Sequence, residues 1–373
     1  MKNLSYLNRS GNNRRRMLGV SLIEIMISLT IGLIIIAGIG YAYLGSKQSF
    51  RTQDALSRMQ EGARIAFELM AKDIRMAGFT GCPPNTAASG DINVLSNVTV
   101  WYKNLLGQPL VGYEKTSGAW SAFPAGVTGV VGSVIAGDAL TVLHADTDNS
   151  YIVSSHDAGS SQFTLTANAK IKQGAILIAA ESDCSRTAIF QNSDDDDDDG
   201  DDIVIHGSSG EVPEFALGSP SGTSYPFTAN SRLYPLSAVT YYIGDVNNDG
   251  EPSLYRETLD ASGGNPATTA EELVEGVQDM QLLYGEDTLD AVDKVDVYRT
   301  ANNVADWTRV IAIRVTLLMV SRQDEQGITT RPQKYSLDMN GDGDVTDTGE
   351  TVTPNDRLLR KVFTTTIAIK NRL

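Results

Sequence analysis

Val20 to Leu44 is a run of 25 residues with a single ionisable side chain, Glu24. A helix needs about 20 predominantly apolar residues to cross the hydrocarbon core of a bilayer, so this run is long enough to span one. The 19 residues before it hold Lys2, Arg9, Arg14, Arg15 and Arg16 and no acid, a charge of +5. Everything after Gly19 carries 25 basic and 46 acidic side chains, or −21. Basic flanks stay on the cytoplasmic side of a membrane helix, so the pattern predicts a cytoplasmic N-terminus, a single pass and an exported remainder. A net charge of −16 over 373 residues also argues against nucleic acid as a partner bound through a general basic surface.

A cleaved secretory signal has the same basic and apolar regions, but its cleavage site follows the apolar run as small residues in an A-x-A pattern. Here the run ends Gly40-Tyr41-Ala42-Tyr43-Leu44-Gly45-Ser46-Lys47, which matches that pattern only weakly. A plain signal anchor explains the length and the charge but leaves Glu24 unexplained. A carboxylate a few residues inside an apolar segment is costly and normally has a partner or a function.

Residues Arg16-Met17-Leu18-Gly19-Val20-Ser21-Leu22-Ile23-Glu24-Ile25-Met26 resemble the type IV prepilin signal: a basic leader, Gly, an apolar first mature residue, and Glu at the fifth mature position. The resemblance implies that a membrane aspartyl peptidase cuts between Gly19 and Val20 on the cytoplasmic side and that the new N-terminus, Val20, is methylated. The usual first mature residue in that family is Phe. Val20 is therefore a departure, one that bears on methylation efficiency more than on identity. The role of Glu24 follows independently from electrostatics: in lipid its carboxylate can be neutralised by the α-ammonium of a neighbouring subunit, which sets an axial register. Glu24 is expected to act in assembly, not catalysis.

No proline occurs from Ser46 to Ala77, and Leu56, Met59, Ala63, Phe67, Met70, Ile74 and Ala77 recur at intervals of three and four, the stripe of an amphipathic helix. Asp54/Arg58, Arg64/Glu68 and Glu68/Lys72 stand four apart on the opposite face. Gly78 supplies a stop, with Pro83-Pro84 beyond it. A helix continuous from Val20 to Ala77 is roughly 87 Å long, so its first half must be buried outside its own domain. Membrane first and filament core later is the expected order.

Beyond Gly78, short apolar or β-branched runs alternate with Gly, Ser, Asn and Asp, which predicts strands and turns. Expected strands are 98–102, 139–144, 163–166, 175–179, 203–206, 238–243, 254–257, 280–284, 310–320 and 362–369, with a short helix over 270–278. No repeat of solenoid or propeller length is present. The predicted class is α+β: a long N-terminal helix packed on a large, antiparallel, β-rich domain, a pilin-like arrangement. The expected divisions are a leader over 1–19, the helix over 20–78 (transmembrane 20–44, amphipathic 45–78) and a periplasmic domain over 79–373.

Dispersed stretches of this domain resemble PilW-type minor pilins: Arg75-Met76-Ala77-Gly78-Phe79-Thr80-Gly81-Cys82, Asp183-Cys184-Ser185 with Ile189-Phe190, Pro252-Ser253-Leu254-Tyr255-Arg256, Leu273-Val274-Glu275-Gly276-Val277-Gln278-Asp279-Met280-Gln281, and Asp356-Arg357-Leu358-Leu359-Arg360. The resemblance implies a minor pilin of the inner membrane that joins a priming complex for type IV pilus assembly and enters the pilus at the cell surface. Implied partners are other minor pilins, the major pilin, the prepilin peptidase/methylase and the inner-membrane assembly machinery. Implied roles are twitching motility, adhesion or DNA uptake. A pseudopilin of a type II secretion system shares the N-terminal signal, and a calcium-dependent binding module at a pilus tip is a third reading.

Cys82 and Cys184 are the only cysteines. In an oxidising periplasm an even count of two suggests one disulfide, the alternative being two separate buried thiols. Asp338-Met339-Asn340-Gly341-Asp342-Gly343-Asp344 places oxygen side chains on alternate residues, the opening of an EF-hand-type calcium loop. Its twelfth position is Gly349, with Glu350 one residue late. Asp245, Asn247 and Asp249 form a weaker match, with Arg256 where the closing acid belongs. Turns use the same residues for their own reasons. No other cofactor is called for, and calcium is optional. The acidic run from Asp194 to Asp202 reads as a solvated loop. Catalysis finds no motif: Gly218-Ser219-Pro220-Ser221-Gly222 lacks the central serine of G-x-S-x-G, and His144, His156 and His206 have no sequence partners.

Overall fold

The structure, a computed structural model, describes residues 19–83, 92–93, 101–116, 119–120, 134–167, 169–194, 202–206, 226–245, 250–260, 267–289, 294–322 and 327–372. Helix α1 runs Leu22–Met76, and the chain divides into two compact units, Met1–Gln53 and Asp54–Leu373. The first unit holds the apolar part of the helix. The second holds the amphipathic part and all the strands.

Those strands are β1 (Ile92–Asn93), β2 (Leu110–Tyr113), β3 (Lys115–Thr116), β4 (Ala119–Trp120), β5 (Val134–Ala145), β6 (Tyr151–Asp157), β7 (Gln162–Leu165), β8 (Ile176–Ala180), β9 (Thr187–Gln191), β10 (Ile203–Ile205), β11 (Arg232–Gly244), β12 (Ser253–Asp260), β13 (Ala267–Glu275), β14 (Val277–Glu286), β15 (Val297–Arg299), β16 (Val310–Val320), β17 (Tyr335–Ser336), β18 (Thr351–Val352) and β19 (Arg360–Ala368). Pairing is antiparallel apart from β1 with β9 among the described residues. The organising strand is β11. Its first residues, Arg232 to Pro235, pair with β8, and Arg232 and Leu233 also pair with β6; from Leu236 onward it pairs with β5, and from Val239 with β12 as well. A second sheet has the order β15-β14-β16-β19.

The helix packs where its small residues permit close approach. Ala55, Met59, Ala63, Ala66, Met70 and Ile74 are buried together with Leu140 and Val142 of β5, Tyr241 and Ile243 of β11, Met280 and Leu282 of β14, and Val315 and Leu317 of β16. Burying one Met or Ile side chain in this way stabilises the fold by about 1.5 to 3 kcal/mol. Two further cores lie along β8: one holds Cys82, Leu143, Ile178 and Ile189, the other Phe163, Leu177, Phe190 and Leu233. All five residues of β8 and of β9 are buried, and β8, Ile-Leu-Ile-Ala-Ala, reads as an unbroken apolar run.

The helix ends as its sequence predicts. Gly78 takes φ +77°, a left-handed conformation in which a Cβ is strained, and its N–H donates to Leu143 O at 2.9 Å. Asp54 to Arg58 and Arg64 to Glu68 form the expected pairs at 2.9 and 3.0 Å. The Glu68/Lys72 pair does not form. Lys72 reaches Asp148 at 2.8 Å instead, an ion pair to the β5–β6 connection.

Two other expectations are corrected. The helix predicted over 270–278 is two strands, β13 and β14, joined at Gly276 with φ +75°. Ala, Glu and Leu favour a helix locally, but β13 pairs along its length with β12, and a Cβ at Gly276 would stand 2.8 Å from Val320 O. The strand predicted over 98–102 is not seen: Trp101–Leu105 forms a 3-10 helix, and 98–100 lie outside the described residues.

Candidate functional site

In the first unit the helix is long and apolar enough to cross a membrane, and the large apolar side chains along it are exposed, Leu22 at 76%, Ile34 at 71% and Tyr41 at 83%. A surface of this kind is stable only where something other than water covers it. Gly19 and Val20 lie ahead of the first turn, outside the helix, so the peptide bond between them is not locked in it. Glu24 lies in that first turn and its Oε2 accepts from Ser21 N–H at 3.4 Å, placing negative charge at the positive end of the helix dipole. The leader 1–18 lies outside the described residues.

The second unit fastens its helix with a buried polar cluster. Asp73, on the helix, faces His144 of β5 and Tyr241 of β11: His144 Nε2 is 3.3 Å from Asp73 Oδ1, and Tyr241 OH donates to Asp73 Oδ2 at 2.5 Å. His144 Nδ1 also lies 2.9 Å from Ala145 O, so both ring nitrogens face oxygen acceptors. Burial acts to raise the Asp73 pKa, but the hydrogen bonds from His144 and Tyr241 outweigh it and hold the carboxyl below its ordinary value. Burial and the facing Asp73 push the Tyr241 hydroxyl up. Arg256 of β12 adds positive charge beside the cluster and pairs with Glu271 of β13 at 2.7 Å. Helix, β5 and β11 are thus joined through one buried carboxylate that an imidazole and a phenol both face.

Just past the helix, Cys82 and Cys184 form a disulfide with Cα atoms 5.6 Å apart, tying the helix exit to the β8–β9 turn across 102 residues. Cys82 is buried beside Tyr234 and Ala180.

The acidic loop from Asp338 to Glu350 is closed at its base by β17 with β18 and by Leu337 N–H donating to Glu350 O at 2.9 Å. Asp338 accepts Gly341 N–H on Oδ1 at 2.7 Å and Gly343 N–H on Oδ2 at 3.1 Å. Asn340 Oδ1 accepts Asp342 N–H, Asp342 Oδ1 accepts Asp344 N–H, and Asp344 Oδ1 accepts Thr346 N–H. Glu350, one position late by sequence, turns back into the loop, where its Oε1 accepts Met339 N–H at 2.9 Å. Among the described residues no three His, Cys, Asp or Glu side chains already converge as a metal site. At the second loop Asp245 Oδ2 accepts Gly250 N–H at 3.0 Å, whereas Asn247 and Asp249 lie outside the described residues, as do 195–201 of the acidic run.

The three histidines have partners that the sequence did not disclose. His156 Nε2 lies 2.8 Å from His206 Nε2, enclosed by Phe163, Phe190 and Phe227. Burial pushes His206 down to about 4 and lowers His156 as well. His156 Nδ1 accepts from Phe227 N–H at 3.0 Å, so its Nε2 carries the proton and donates to His206. Asp138, whose Oδ2 accepts Leu282 N–H at 2.8 Å, is pushed up to about 8 by burial. Each of these groups spans 50 to 144 residues of chain, beyond the reach of any local motif.

Residues 240–371, from the second half of β11 through β19, match the family model described as type IV pilus-assembly protein W. The match supports a PilW-like type IV pilin. A search of curated proteins finds no match. A solved type IV-like pilin from Thermus thermophilus superposes over 85% of this chain and 99% of its own, at 10% identity and a TM-score of 0.31. That likeness is too slight to carry an argument.

Proposed function

We propose that the chain is a minor pilin of a type IV pilus, made as a prepilin, cut between Gly19 and Val20 and methylated at Val20. The match of residues 240–371 to the pilus-assembly family carries this reading. The exposed apolar helix and the single carboxylate at Glu24 agree with it. In this role the helix anchors the chain in the inner membrane with the strand-rich unit in the periplasm, and then moves into a filament where neighbouring pilin helices cover the same apolar surface. Glu24 pairs with the N-terminal ammonium of an adjacent subunit and sets its axial position. The work is structural, within a priming complex with other minor pilins and the assembly machinery, and it supports twitching motility, adhesion or DNA uptake.

The test replaces Glu24 by Ala in the full chain. The variant is expected to insert in the membrane at normal abundance, because a charge has been removed from lipid, and to lose co-purification with other pilins together with surface piliation. Normal co-purification and normal piliation in Glu24→Ala overturn the assignment of Glu24.

A further inference from the structure

We infer that the loop from Asp338 to Glu350 is a calcium site, with Asp338, Asn340, Asp342 and Asp344 as its oxygen ligands and Glu350 as the carboxylate that closes it. Five carboxylates and no basic residue lie between 338 and 350. Acidic turns of that kind are common, and the loop's internal hydrogen bonds alone do not call for a metal. Glu350 does. It is 4% exposed, one of its oxygens is held by Met339 N–H, and its second oxygen, Oε2, is buried without a hydrogen-bond partner. A buried carboxylate oxygen with nothing to neutralise it is expensive, and the cost disappears if a cation sits against it.

The surroundings of Glu350 favour a hard cation. The loop holds carboxylate and amide oxygens and no His or Cys, the ligands zinc prefers. The Asp338 oxygens and Asn340 Oδ1 accept backbone N–H groups yet keep a second lone pair each, so the turn is held in shape without using up its ligands. The Asn340 amide also donates to Asp342 Oδ2 at 3.2 Å and Asp347 Oδ2 at 2.9 Å, bridging two carboxylates that otherwise repel. Calcium accepts six to eight oxygens at about 2.3 to 2.6 Å in an adaptable shell, whereas magnesium requires a near-ideal octahedron, so an irregular 13-residue loop rich in oxygens suits calcium. Because β17 and β18 close the loop between β16 and β19, its occupation also fastens the connection between those two strands.

Equilibrium dialysis of radioactive calcium against the full chain in detergent micelles tests this. The wild type is expected to bind calcium at this site, and Glu350→Gln is expected to weaken that binding at least tenfold. Since a buried substitution can impair folding, Asp342→Ala, at an exposed position, removes a ligand oxygen outright and carries the test independently with the same expected loss. Magnesium at equal concentration should not displace the bound calcium. Absence of calcium binding by the wild type, or binding by a folded Glu350→Gln or Asp342→Ala chain indistinguishable from wild type, overturns the proposal.

Discussion

Residues 22–53 and 54–76 belong to one helix, yet one part exposes its apolar side chains and the other buries a face of them. Ile34 is 71% exposed, while Ile74, forty residues further on, is fully buried against the strands. Both parts are helical for the same local reasons, an absence of proline and a supply of good helix formers. What separates them is the pattern of polar residues. After Ser46 charges return mostly on one face, Asp73 being the exception on the buried side, giving the stripe a folded domain can use, whereas from Val20 to Leu44 apolar residues occur all round. The difference teaches where each part can find its burial: the second within this chain, the first only outside it.

The disulfide gives the largest expected effect on the buried side of that contrast. Cys184→Ser in the full chain should lower the stability of the strand-rich unit by about 4 to 5 kcal/mol, the chain-entropy value for a loop of roughly 100 residues, read as a shift in the denaturant midpoint. The unfolding of the apolar helical segment should not change.

A matched pair sharpens the comparison directly. Ile74→Ala should cost about 3 kcal/mol, within the range for a buried aliphatic truncation, and Ile34→Ala should leave the same melting transition within about 0.5 kcal/mol. Equal losses at the two positions would show that the first segment is also part of the domain core.

Acid acts on the Asp73 cluster, with a smaller effect confined to low pH. The Asp73 carboxyl lies below its ordinary value of 3.8 in the folded chain, so the folded state binds that proton less readily than the unfolded one. Its contribution is fully present above that ordinary value and is lost as pH falls through the lower folded value. The domain should lose stability progressively below about pH 4, and Asp73→Asn, while destabilising at neutral pH because an amide replaces the buried carboxylate that His144 and Tyr241 face, should flatten that acid limb. An unchanged acid limb in Asp73→Asn would assign the loss to other carboxylates.

How much of this the sequence discloses depends on how local the cause is. The span Val310–Val320 matches its expected limits because an unbroken apolar run of that length fits a buried strand whatever surrounds it. The helix stripe and its stop at Gly78 are equally local. Strand β13 reads as helix because its Ala, Glu and Leu content favours one and most of its side chains are exposed; only its pairing with β12 makes it a strand. Strand β6 leaves little trace in the sequence because Tyr151 to Asp157 buries only Val153 and shows no sustained alternation. The Asp73, His144 and Tyr241 cluster joins residues 71 and 168 positions apart, so nothing along the chain announces it. Glu350 looked misplaced by one residue when counted, whereas the closure of the loop by β17 and β18 turns its side chain inward.

The central claim, that the apolar half of the helix belongs to a processed pilin and is buried outside its own chain, is tested most directly by the N-terminal sequence and mass of the protein extracted from membranes. The account predicts a chain beginning at Val20 and bearing one methyl group on its α-amine. A chain that retains Met1, or one that begins beyond Leu44, would contradict it.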